Sequence, residues 1–150
     1  MIILRKTSWI MLGVAGSGKS TWIKENLGDN VLVISKDGIR EELGIIKGNR
    51  KAIGTKEQEK EVQEIHDQRV RDAIREGKSF VLDNTNLGRD LKDRVGELKR
   101  AGYKVIGVRI NAPIDVCIKR RPEIPEEHLR NMDRKLKEID TTIFDKLVEA

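Results

Sequence analysis

Apolar positions along the chain follow two rhythms. Residues 8–14, 31–34, 79–82 and 104–110 are short aliphatic or β-branched runs bounded by turn residues or charge, the pattern of strands buried on both faces. Between them, apolar residues recur every three to four positions. One such segment follows Gly18 through Trp22, Ile23 and Leu27 and stops at Gly28. A second carries Val62, Ile65, Val70, Ala73 and Ile74 and ends at Gly77, and a third carries Leu91, Val95 and Leu98 before Gly102. Beyond Pro125, the series Leu129, Met132, Leu136, Ile139, Ile143 and Leu147 predicts a last helix of about six turns, if Asp140-Thr141-Thr142 does not interrupt it.

Strands without alternation, separated by amphipathic helices, predict an α/β fold: an open parallel sheet of four to five strands flanked by helices, binding ligands at the carboxyl ends of its strands. At 150 residues the chain is expected to form one domain. Charged residues make up 37%, and the 30 basic and 25 acidic side chains are spread evenly, 14 and 11 up to residue 75 and 16 and 14 after it. Periodic apolar runs argue against disorder, and none approaches the roughly 20 residues of a membrane helix. The amino terminus, with Arg5 and Lys6 and no small-residue cleavage site, does not read as a signal peptide. Cys117 is the only cysteine, which rules out an intramolecular disulfide and a cysteine zinc site, and His66 and His128 do not make up for it. The expected location is cytoplasmic.

Local charge changes this picture more than the total does. Residues 47–56 hold Lys47, Arg50, Lys51 and Lys56 with no acid, and residues 99–121 hold seven basic side chains against the single acid Asp115. Either is a solvated surface or a track for a phosphate backbone. The five aromatic residues are too few for broad base stacking, so recognition of a terminal nucleotide fits better than a long platform.

The strongest chemical signal is Gly13-Val-Ala-Gly-Ser-Gly-Lys19-Ser20, which satisfies G-x-x-x-x-G-K-[ST] between the first strand and the first helix. Its four fixed positions arise by chance in about 1% of chains this long. Glycines suit the task because backbone N–H groups must turn inward around phosphate oxygens. Gly13, Ala15, Gly16, Ser17, Gly18, Lys19, Ser20 and Thr21 are therefore expected to bind the nucleotide. Lys19 neutralises the β- and γ-phosphates and Ser20 offers its hydroxyl to Mg²⁺.

Three further segments follow later strands, the first of them at the same sheet edge as the phosphate loop. In Ser35-Lys-Asp37-Gly-Ile-Arg40, Asp37 is either a helix cap or a base that takes a hydroxyl proton, with Arg40 either a surface charge or a grip on an acceptor phosphate. In Asp83-Asn-Thr85-Asn86, Asp83 either starts a turn or holds Mg²⁺ directly or through water. In Lys119-Arg120-Arg121-Pro122, the arginines either cap a charged helix or fold over a triphosphate.

Together these segments resemble the 5′-hydroxyl polynucleotide kinase domain of the P-loop phosphotransferases, the phage and bacterial end-healing kinases. The resemblance covers nearly the whole chain. It rests on G-V-A-G-S-G-K-S-T-W at 13–22, the D-x-x-R of Asp37 and Arg40, the D-x-T-N of 83–86, and the arginine pair followed by a proline and a helix. It implies a P-loop kinase fold with a short arginine-containing lid. It also implies that Lys19 and Ser20 serve ATP or another NTP, Asp37 is the general base, Arg40 holds the acceptor 3′-phosphate, and Thr85 and Asn86 line the acceptor side. A lid arginine contacts the donor phosphates; Arg121 is favoured for catalysis, and Arg120 shares the nucleotide. The stretch from Arg121 to Pro125 is shorter than the lid the resemblance implies. End-healing kinases often carry a phosphatase or ligase domain as well, so the chain is either a stand-alone kinase or one domain of a larger enzyme.

The expected activity is transfer of the NTP γ-phosphate to the 5′-hydroxyl of DNA or RNA. A P-loop kinase for a small molecule, nucleoside or modified base is the second reading. The third is a nucleotide-binding module without turnover.

Overall fold

The computed structural model describes residues 6–45 and 54–150. Of the basic segment 47–56, residues 47–53 lie outside that description. Five parallel strands form one sheet in the order β2-β3-β1-β4-β5: β1 Thr7–Leu12, β2 Leu32–Ile34, β3 Phe80–Leu82, β4 Lys104–Arg109 and β5 Lys146–Glu149. The helices are α1 Lys19–Leu27, α2 Lys36–Glu42, α3 Lys56–Glu76, α4 Leu91–Arg100, α5 Ile114–Arg120 and α6 Glu126–Glu138. No described helix is long and apolar enough to cross a membrane.

Burial on both faces explains the unbroken apolar runs of β1, β3 and β4, whereas Leu32 and Val33 of the edge strand β2 are exposed. Ile10, Leu12, Phe80, Leu82 and Val105 point into a core closed by Val70 and Ala73 of α3, Val95 and Leu98 of α4, Cys117 of α5 and Leu129 and Leu136 of α6. The alternate residues Met11, Val81, Ile106 and Val108 meet Ile23 of α1, with Trp9, Trp22 and Leu27 at the margin. Tyr103 shows what a buried polar group requires: its ring packs edge-on to Phe80 with centroids 5.4 Å apart, and its hydroxyl lies 2.7 Å from the Lys78 carbonyl.

The carboxyl-terminal segment departs from the expected six-turn helix. α6 ends at Glu138, a 3₁₀ turn spans Thr141–Ile143, and β5 follows. Asp140 accepts from the Thr142 amide at 3.0 Å and from its hydroxyl at 2.5 Å, which stops the helix. Asp145 then accepts from the Val105 amide at 2.8 Å and starts the pairing with β4. Ile139, Ile143 and Leu147 keep helical spacing by coincidence. Phe144 instead lies on Gly107, where a Cβ would come within 2.7 Å of the ring.

Parallel strands put all their carboxyl ends on one edge. The segments after β1, β2 and β3 are therefore neighbours, tied by the Asp83 amide donating to the Ile34 carbonyl at 3.0 Å and the Gly13 amide donating to the Thr85 carbonyl at 3.4 Å. The same topology disperses the basic stretch 99–121. Lys99 and Lys104 lie toward the amino ends of the strands, Lys99 3.9 Å from Asp145, whereas Arg120 and Arg121 close α5 at the opposite edge. They do not form one continuous track.

Candidate functional site

The loop between β1 and α1 wraps inward because its backbone takes left-handed turns. Gly16 has φ +83° and Gly18 φ +99°, and a Cβ on Gly16 would stand 2.8 Å from the Arg121 side chain. Glycine is thus needed at 16 for conformation and for contact with α5 alike. Lys19 lies back over the loop, its Nζ donating to the carbonyls of Gly13 at 3.1 Å and Val14 at 3.0 Å. Phosphate oxygens would compete for that ammonium.

In the first turn of α1 the Ser20 hydroxyl donates to Asp83 Oδ2 at 2.7 Å. A hydroxyl and a single carboxylate beside a phosphate loop suit Mg²⁺, which keeps several waters and takes its other ligands from phosphates. Among the described residues no group of three or more His, Cys, Asp and Glu is placed to hold a metal ion.

Beside a cavity of about 730 Å³ on the α1 side, lined by Ser20, Asp37 and Asp83 among others, two further cavities meet above the sheet edge. The smaller, about 230 Å³, lies over the loop and is lined by Gly16, Gly18, Lys19, Ser20, Thr21 and Asp83 among others. The larger, about 590 Å³, runs outward between α2, α3, α4 and the 121–125 segment. Ala15, Asp37, Asn84, Thr85 and Arg121 line both. The sequence-derived candidates Asp37, Thr85 and Arg121 thus come together at the junction.

Asp37 stands in the first turn of α2, which Ser35 caps by accepting from the Gly38 amide at 3.1 Å. The capping role weighed for Asp37 belongs to Ser35. The Asp37 carboxylate is 41% exposed and accepts from Arg40 Nη1 at 2.8 Å. Arg40 also holds Glu59 of α3 through Nη2 at 2.6 Å and Nε at 3.1 Å. Hydrogen bonding to Glu59, with Asp37 adding to it, raises the Arg40 pKa, and the same guanidinium lowers that of Glu59.

Arg121 and Arg120 take different positions. Arg120 Nη1 donates to the Gly16 carbonyl at 3.1 Å and lines neither cavity. Arg121 Nε donates to Glu123 at 3.0 Å, while its buried Nη2 has no hydrogen-bond partner among the described residues. A buried guanidinium nitrogen without an acceptor, at the junction of two cavities, is a waiting donor for an anion. Asn86 has a different setting: at φ +54°, its Nδ2 donates to the carbonyls of Met11 at 2.7 Å and Leu82 at 3.2 Å, stitching β1 to β3. It lines only the larger cavity.

Several lining residues carry no motif. Lys36, His66 and Arg94 add polar groups to the larger cavity, and Leu87, Leu91, Ile124 and Met132 give it an apolar wall. His66 sat in the charged helical pattern of α3, where only its interruption of an otherwise acidic and basic surface marked it. Asn84 lies within the quoted 83–86 segment, and its partners come from α2 and α3.

Fold and site define a nucleotide-binding α/β protein of the P-loop kinase type. Residues 9–141 match the AAA_33 family of AAA domains, and the chain belongs to that family. No curated protein matches the sequence. Among solved structures it is similar to two of the Pnkp1/Rnl/Hen1 complex. One is described as the RNA repair complex, with 18% identity and TM-score 0.75, covering 91% of this chain and 46% of the other; the second has 20% identity and TM-score 0.66, covering 80% and 40%. A gluconokinase from Sinorhizobium meliloti 1021 is similar over 98% of this chain and 83% of its own, with 18% identity and TM-score 0.55. The chain spans less than half the length of the two Pnkp1/Rnl/Hen1 chains it matches.

Proposed function

We propose that the chain transfers the γ-phosphoryl group of ATP or another NTP to the 5′-hydroxyl of a DNA or RNA end. The observation that carries this reading is the junction: Asp37 stands where the phosphate-loop cavity opens into the larger one, beside Arg121, Asn84 and Thr85. An acceptor hydroxyl entering from the larger cavity would give its proton to the Asp37 carboxylate while its oxygen bonds to the γ-phosphorus. The bond from that phosphorus to the β-bridging oxygen breaks, and the diphosphate leaves with the electron pair. Lys19 and Arg121, which both line the phosphate-loop cavity, bring positive charge to the transferring group. Ser20 and Asp83 would hold Mg²⁺, which supplies charge neutralisation between the β- and γ-phosphates. Arg40, Thr85 and Asn86 serve the acceptor; Gly13 to Thr21 serve the donor, and Arg120 supports that loop by holding the Gly16 carbonyl.

The apolar wall of Leu87, Leu91, Ile124 and Met132, and the engagement of Arg40 by Glu59, favour a second reading, a kinase for a small alcohol or nucleoside. Offering labelled ATP with a 5′-hydroxyl oligonucleotide, a nucleoside and a nucleoside 3′-monophosphate separates the two. Label on the oligonucleotide is expected; label on the nucleoside alone would exclude the first reading. Asp37→Asn is expected to slow transfer about 10²-fold or more, with the fold retained. Unchanged turnover would instead make the residue a bystander, and a lack of transfer by the wild type to any acceptor would leave a nucleotide-binding module.

A further inference from the structure

Beside the junction runs a chain of hydrogen bonds whose polarity can be worked out. Lys36, the first residue of α2, donates its backbone N–H to Asn84 Oδ1 at 2.9 Å. A backbone amide only donates, so the oxygen of Asn84 must face it and the Asn84 Nδ2 must face the other way. That nitrogen lies 3.0 Å from His66 Nε2. An amide nitrogen also only donates, so Nε2 must be the unprotonated nitrogen of a neutral imidazole. The ring proton then sits on Nδ1, 3.4 Å from Asp67 Oδ1. Asp67 is held in turn by Gln63 at 2.9 Å and by Arg94 of α4 at 2.7 Å.

We propose that His66 is a positioning residue for Asp37, its neutral Nδ1-protonated ring holding Asn84 and, through Asn84, the first peptide of α2. This rests on the reading of Asp37 as the base. Three features bind the parts together: His66 is 3% exposed, so water does not replace its partner; Asn84 lines both cavities; and Asp37 is the next residue after the tethered Lys36. A shift of about 1 Å at such a residue can cost on the order of 10²-fold in rate. The chain does not accommodate a second proton on the ring. An Nε2–H would face the Asn84 N–H, and turning the amide would present its NH₂ to the Lys36 N–H. The charged groups around the ring are Asp67 on its own helix, Lys36 at the start of α2 and Arg94 on α4. Burial, with the two cations, lowers the His66 pKa against the opposing pull of Asp67.

The test uses the whole chain and two independent readouts. Nitrogen-15 spectra of the imidazoles are expected to show His66 neutral with its proton on Nδ1 at neutral pH, and the Lys36 and Asp37 amide resonances are expected to move with the His66 ring on acidification. An Nε2–H ring, or amides that ignore the ring, would overturn the proposal whatever the turnover. In kinetics, His66→Leu is expected to lower kcat about tenfold or more with the KM for ATP unchanged. His66→Gln, whose Oε1 can accept from Asn84, is expected to restore most of the rate and to lose the acid limb of the pH profile that His66 produces in the wild type. Equal loss in both variants would make the residue a packing element only. Full turnover by Asp37→Asn, with the spectroscopic coupling intact, would remove the base assignment and leave the tether.

Discussion

Two of the cavities that meet at Asp37 differ in how much of their lining is local in sequence. The phosphate-loop side has a contiguous half: six lining residues come from the single stretch 15–21, and Ser35, Asp37, Asp83, Asn84, Thr85 and Arg121 are added from outside. The larger cavity draws on side chains from Ala15 to Met132, on α2, α3, α4, the loop after β3 and the start of α6. Binding a triphosphate needs N–H groups and one ammonium in fixed order, which a local turn provides. Shaping an acceptor site needs walls, and these come from wherever the fold packs helices around the opening.

If that contrast holds, changes on the local side should be severe and specific. Lys19→Ala is expected to lower turnover on the order of 10³-fold or more while leaving the melting temperature unchanged, since the ammonium donates to carbonyls of its own loop. A variant that fails to fold would show that the lysine also supports the scaffold.

A change in the frame beneath both regions should behave differently. Gly107→Ala places a Cβ 2.7 Å from the Phe144 ring and is expected to cost about 1–3 kcal/mol of stability, read as a lower urea midpoint. The KM values for both substrates should stay as they are. A selective loss of one would couple β4 and β5 to that side of the site.

Smaller effects should come from the dispersed side. Glu59→Gln frees Arg40 from its carboxylate partner and is expected to lower the KM for a nucleoside 3′-monophosphate roughly fivefold, the scale of one partly exposed ion pair, with the KM for ATP unaffected. A rise would make Glu59 the group that aligns Arg40 rather than its competitor.

The smallest expected effect is on stability against pH. The His66 pKa in the folded state lies below its ordinary value of about 6.5, so the unfolded chain binds the proton more readily. Its contribution to stability is therefore complete above that ordinary value and is lost as pH falls through it toward the folded value. Urea midpoints for wild type and His66→Gln should converge on acidification; parallel curves would exclude a linkage at this ring.

The parallel sheet and its first four strands were legible because a strand buried on both faces must be apolar throughout, as in 104–110, and because the β-branched run 31–34 favours a strand even at the exposed sheet edge. β5 was not legible. Its Leu147 completes a helical spacing begun by Ile139 and Ile143, and only Asp140, by capping the turn, and Asp145, by meeting β4, break that pattern. In the site, the phosphate loop, Asp37, Asp83 and the arginine pair stood out because their residue types are tied to their spacing. Asn86 illustrates the limit: its amide bridges two strand ends, a partnership that only the adjacency of β1 and β3 creates.

What the amino-acid order determined by itself is therefore the nucleotide-binding loop, whose function resides in consecutive backbone groups, and the alternation that makes the sheet. What the tertiary structure decided is everything that depends on distant partners: Arg121 rather than Arg120 at the junction, Glu59 on Arg40, and the path from His66 through Asn84 to α2. A hydrogen bond between residues 18 or 48 positions apart leaves no period in the chain, and it exists only once the helices have packed.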